Sequence, residues 1–127
     1  MANAAAHAML AASLADARLL AGARAWTVPN DATLREAERL FALLATAGAG
    51  AAWTAPAVWV QPDGAVVLEW EAGERGWLAL SVHGLGTLTH AAVIDGDDYG
   101  LSEDFGDALP DWALELLRRL HAPRVSE

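Results

Sequence analysis

The stretch PDGAVVLEWEAGERGWLALSVH, residues 62–83, decides the fold. Within it Val66, Leu68 and Trp70 alternate with Val67, Glu69 and Glu71. After a glycine-bounded break, Leu78, Leu80 and Val82 alternate with Trp77, Ala79, Ser81 and His83. A period of two sends successive side chains to opposite faces, so each run reads as a half-buried strand. The break from Ala72 to Gly76 is short enough to make the pair an antiparallel hairpin. If Glu71 pairs with Trp77, then Glu69 faces Ala79 and Val67 faces Ser81.

Working outward, Pro62-Asp63-Gly64 is a tight turn, and Ala57 to Gln61 before it is a further short strand. On the other side Gly84-Leu85-Gly86 allows a reversal into Thr87 to Ile94, where Leu88, His90, Ala92 and Ile94 share a side. A three-residue loop there sets His83 opposite Thr87 and Ser81 opposite Thr89. The sum is a meander of four antiparallel strands.

Helical patterns flank this meander. From Asn3 to Arg24 strong helix formers place Leu10, Leu14, Ala17 and Ala21 on one narrow stripe, which suits close packing on another helix or a loosely held arm. Pro29 breaks that pattern. The next helix has Asn30, Asp31 or Thr33 as cap, and Thr33-Leu34-Arg35-Glu36 has the form of a capping box. Leu34, Ala37, Leu40, Phe41 and Leu44 form its apolar face, and Gly48 and Gly50 are expected to end it with left-handed geometry. A last helix starts at Pro110, buries Ala113, Leu116, Leu117 and Leu120, carries Arg118 and Arg119 near its end and stops before Pro123. The expected class is α+β: two helices, four strands and a helix (ααββββα), with the helices on one face of the sheet. Residues 1–27 are an Ala-rich helix or arm, and residues 28–127 one α+β domain.

These residues resemble a group of small bacterial proteins that carry a "PDGG, two residues, LEW" signature. Here it reads Pro62-Asp63-Gly64, then Leu68-Glu69-Trp70, followed by the Gly84/Gly86 turn and by Phe105 leading into Leu109-Pro110. The likeness spans roughly Leu34 to Leu120 and departs at Ala65, where a second Gly is usual. It implies the strand meander and brings no activity or catalytic residue with it.

Composition narrows function. The 127 residues include 30 Ala, 8 Arg, no Lys and no Cys, with 17 acidic residues and a net charge of -9. Lacking Cys, the chain has no disulfide, thiolate nucleophile or Cys-type zinc site. The acidic balance argues against binding a nucleic-acid backbone, which needs clustered bases. No run approaches the ~20 apolar residues of a membrane span. Ala4 to Ala15 lacks the basic start of a signal peptide, so a cytoplasmic location is expected. The Ala load and the absence of Lys fit a GC-rich coding bias.

The charge is also localised. Residues 1–62 are neutral by formal count, whereas Asp95 to Asp111 holds seven acids and no base. Read as a Gly-punctuated loop from Asp95 to Ala108, this segment begins like a calcium loop and then fails, with Tyr99 at the fifth position and Gly106 where a Glu is required. Ser81 and His83 lack a third residue to orient the imidazole, and Glu69 and Glu71 at alternate strand positions read as solvated charges rather than an acid/base pair. His7, His83, His90 and His121 show no ligand spacing, and Gly84-Leu85-Gly86 is no phosphate loop.

The expectation is a non-enzymatic, acidic protein-protein interaction module of the antitoxin, immunity or inhibitor kind. It would bind another protein, a basic one, through Asp95, Asp97, Asp98, Glu103, Asp104 and Asp107 together with Glu69, Glu71 and Trp77 on the open sheet face. One alternative is a divalent-metal or small-ligand domain centred on Asp95, Asp97, Asp98 and His90. The other is a structural subunit that self-associates through its first helix. No catalytic residue, cofactor, nucleic acid or membrane enters any of these readings.

Overall fold

The structure is a computed structural model that describes residues 2–48 and 53–122. Helices α1 (Ala2–Ala23) and α2 (Asp31–Ala47) precede strands β1 (Ala57–Val60), β2 (Val66–Glu71), β3 (Gly76–Val82), β4 (Thr87–Ile94) and β5 (Asp97–Asp104), and α3 (Asp111–His121) closes the order. A short 3₁₀ turn, Gly73–Arg75, joins β2 to β3. The sheet is antiparallel with strands in sequence order, and the fold is α+β.

The register follows from the alternation. Glu71 lies opposite Trp77, Glu69 opposite Ala79, Val67 opposite Ser81, and Ser81 opposite Thr89. One face therefore collects Val60, Val66, Leu68, Trp70, Leu78, Leu80, Val82, Leu88, Ala92 and Ile94, all buried. The helices close over this face. Leu10, Leu14 and Ala21 come from α1, Ala37, Leu40, Phe41 and Leu44 from α2, and Leu116, Leu117 and Leu120 from α3. Each fully buried Leu contributes on the order of 2 kcal/mol through removal of apolar surface from water. Helix α1 packs along β1 and α2, α2 lies over β2 and β3, and α3 over β3.

The sheet has five strands, not four, because the acidic segment expected as a loop is itself a strand over Asp97–Asp104. Asp95 (φ 53) and Gly96 (φ 86) both take positive φ, which a two-residue hairpin turn of the primed type demands. Ile94 and Asp97 are then directly opposed and the whole of β5 pairs with β4. Asp, Gly and Ser have little strand preference of their own, so the pairing comes from the turn and from β4 rather than from β5 composition.

The ends of α2 also differ from expectation. Asn30 is the cap: its Oδ1 accepts the Thr33 N–H at 2.8 Å and the Thr33 hydroxyl at 2.9 Å. Glu36 makes no capping-box bond. It is 7% exposed, and its two carboxylate oxygens accept the backbone N–H groups of Gly84 (2.8 Å) and Gly86 (2.6 Å) in the β3–β4 turn. Gly84 is required there, since its φ is +78 and a Cβ would come within 2.7 Å of the Thr33 hydroxyl. Gly48 ends α2 in ordinary right-handed geometry (φ -83), and its lack of a side chain instead lets the Trp53 ring approach. Gly50 and Pro123, expected near the ends of α2 and α3, lie outside the described residues. Pro110 stands just ahead of α3 rather than as its first residue.

Candidate interaction surface

The side of the sheet away from the helices is assembled from the alternate residues of all five strands. One row across it runs Trp59, Val67, Ser81, Thr89, Ser102. The next runs Ala57, Glu69, Ala79, Ala91, Gly100, and a third Glu71, Trp77, Val93, Asp98. The strand residues that join the core cluster project from the opposite face, so no described helix lies over these rows. Val67 is nonetheless buried, while Trp59 is 38% exposed and Trp77 half-buried. The Trp59 signal was present in sequence as an aromatic flanked by Val58 and Val60. Only the register with Val67 assigns it to this face.

Glu69, Glu71, Asp98 and Asp104 project onto this side, and none of the strands contains Arg or Lys. Asp98 and Asp104 are exposed and, with Asp107 in the segment after β5, have no cationic partner among the described residues. A low-dielectric sheet flanked by uncompensated carboxylates concentrates negative potential above it.

The remaining acids of the run have other tasks. Asp95 forms an ion pair with Arg75 at 3.3 Å, tying the β4–β5 turn to the β2–β3 turn. Asp97 and Glu103 sit on the helix side of β5. Glu103 accepts the Trp112 indole N–H at 2.5 Å, and Tyr99 accepts from Arg119 at 2.5 Å, so α3 holds β5 at two points. The Arg119 pKa is raised first by that Tyr99 bond, with the charges of Asp95 and Asp97 adding to it. The sequence run of acids is therefore split by the strand pleat into a load-carrying set and a free set.

His90 lies on the buried side between β4 and α3, 7% exposed, with its ring centroid 4.0 Å from that of Trp112 at a 33° tilt. Its Nδ1 is buried and has no hydrogen-bond partner among the described residues. Burial lowers the His90 pKa, and the nearby Glu103 charge opposes this only in part. The ring is thus neutral at pH 7 and is a core residue stacked on indole.

Among the described residues no three His, Asp or Glu side chains group as a metal site requires. Asp97 and Asp98 point to opposite faces of β5, and Asp95 is engaged by Arg75. The histidines are dispersed: His7 meets Glu38 at 3.1 Å, and His121 bonds Thr54 and the Leu117 carbonyl. No described helix is long and apolar enough to cross a membrane. Compared with known proteins, the chain matches no family model, no curated protein and no solved structure.

Proposed function

We propose that this chain is a non-enzymatic binding module whose uncovered sheet face receives a basic protein. The observation that carries this reading is the composition of that face: Glu69, Glu71, Asp98 and Asp104 beside Trp59 and Trp77, with no Arg or Lys on any strand. Aromatic side chains supply most of the binding energy in protein interfaces, and a single-signed rim steers an oppositely charged partner toward them. Shape supports it as well, because Ala79, Ala91 and Gly100 form a low stretch of the middle row that leads to Glu69, which stands between the strands that carry Trp59 and Trp77.

The test is affinity capture from lysate of the source cells at low salt, comparing the wild type with Glu69→Gln/Glu71→Gln/Asp98→Asn/Asp104→Asn. The wild type is expected to retain a basic protein that elutes as salt rises and cross-links to the face bearing Trp59 and Trp77. A captured protein held equally by the neutralised variant would sink the reading.

A further inference from the structure

The two long edges of a sheet expose backbone donors and acceptors, and in this molecule one of them is left open over its full length. Phe105 donates its N–H to the Gly86 carbonyl, which fixes the phase of the β4–β5 ladder. The residues of β5 that bond β4 are those in step with Phe105, from Asp97 through Glu103. The N–H and C=O groups of Asp98, Gly100, Ser102 and Asp104 consequently point away from the sheet, and among the described residues nothing pairs with them. Proteins usually blunt such an edge with a short strand, a Pro, a bulge, a covering element or charged side chains, and of these β5 has only the last, its acids. β5 has eight residues in unbroken register and contains no Pro. On its helix side Leu101 is 51% exposed.

We propose that β5 is the docking edge for an extended basic segment of the partner, which adds antiparallel to it as a sixth strand. This rests on the reading of the acidic face as the partner site and specifies how the partner is held. Main-chain hydrogen bonds would give affinity, and the side chains of β5 choose the occupant. Asp98 and Asp104, on the open face at the two ends of the exposed backbone, select a cation near each end of the incoming strand. Leu101, between them on the other face, selects an apolar residue at its centre.

A second copy of the chain is the poorer occupant. Two β5 strands related by a two-fold axis at Leu101, the phase that lets their outward-pointing amides meet, would set Asp98 against Asp104 at each end, acid facing acid on the open face. Directly opposed like charges destabilise a strand pair, whereas opposite charges stabilise it. The acids thus refuse self-pairing and admit a basic strand by the same means.

The probe is a blocked peptide, Thr-Arg-Thr-Thr-Val-Thr-Thr-Arg-Thr, whose arginines have the spacing of Asp98 and Asp104 and whose Val falls opposite Leu101. Its backbone is altered rather than the protein's, so no folding defect enters. In one version the two Thr flanking Val are N-methylated, which removes amides that face β5; in the other, Val itself is N-methylated, on an amide that faces away. The parent and the Val-methylated peptide are expected to bind the full chain and to slow hydrogen exchange at Gly100, Ser102 and Asp104. Methylation at the flanking positions should weaken binding by roughly tenfold or more, the loss of two main-chain hydrogen bonds. Asp98→Asn/Asp104→Asn should weaken the parent peptide and flatten its salt dependence.

Equal binding of both methylated peptides, or no slowing of exchange along β5, overturns edge pairing while leaving a charge-based surface intact. Peptides that fail to bind although the four acids still govern capture from lysate do the same. Loss of the acid dependence in both assays removes edge and surface together. A concentration-dependent dimer in light scattering whose β5 amides are protected without peptide assigns the edge to a second copy and ends the proposal.

Discussion

The margins of this sheet are built on opposite plans. β1 has four residues, is largely apolar and lies along α1, whose Leu10, Leu14 and Ala21 belong to the same core as Val60. β5 has eight residues, four of them acidic, and no described helix packs along it; among the described residues α3 bonds to it through Trp112 on Glu103 and Arg119 on Tyr99. At the first margin stability comes from buried hydrocarbon, and at the second from a few polar ties that leave the backbone accessible. A sheet closed along one edge by packing carries charge along the other, and that charge opposes pairing with a copy of itself.

Four changes probe that contrast, in order of falling effect on stability. Leu14→Ala, beneath α1 at the closed margin, is expected to cost about 2–5 kcal/mol in denaturant unfolding, whereas Leu101→Ser at the open one should stay within about 0.5 kcal/mol. Comparable losses for the two substitutions would erase the distinction. Glu103→Ala should cost on the order of 1–3 kcal/mol by leaving the Trp112 indole N–H without its charged acceptor, and amide exchange should accelerate in β5 before it does in β1. Uniform acceleration would mean that β5 is not separately tied.

The third change is in pH. The His90 pKa is lowered in the folded protein, by burial against Trp112 more than Glu103 can offset, so the unfolded chain binds the proton more readily. Stability is therefore full above the ordinary histidine value of 6.5 and declines as pH falls from there toward the lower folded value. His90→Leu should remove that part of the slope in melting temperature against pH; a slope unchanged by the substitution would assign it to other groups. Last, Asp98→Asn/Asp104→Asn should alter stability by no more than about 0.5 kcal/mol, because neither carboxylate has a cationic partner among the described residues. A large loss would show that these acids hold the fold rather than await a partner.

Much of this was legible in sequence. The alternation in residues 62–83 yields the β2–β3 register residue by residue, because a strand with one buried face tolerates no slip by a single position. The apolar faces of α2 and α3 were readable for the same reason at a helical period. β5 was hidden by its own composition. Asp97, Asp98, Gly100, Ser102 and Asp104 are turn and loop residues in isolation, and only the Asp95-Gly96 pair between Ile94 and Asp97 announced a hairpin. The acids of the candidate surface are visible as a run, but the pleat that separates Glu103 from Asp104 depends on a strand whose own residues favour turns and loops. Glu36 was beyond reach altogether: its local context fits a capping box, while its partners are 48 and 50 residues away.

That carboxylate also measures loop length. With Gly84 and Gly86 both bound to the one side chain, the β3–β4 connection has no room for an added residue, since any insertion moves one amide off its acceptor. The β2–β3 connection is another glycine-rich turn in sequence, yet at Gly73 nothing lies within 4 Å of where a side chain would sit. A substitution to Asn, which tolerates the left-handed φ of +57 at Gly73, therefore has room there, whereas at Gly84 any side chain runs into Thr33.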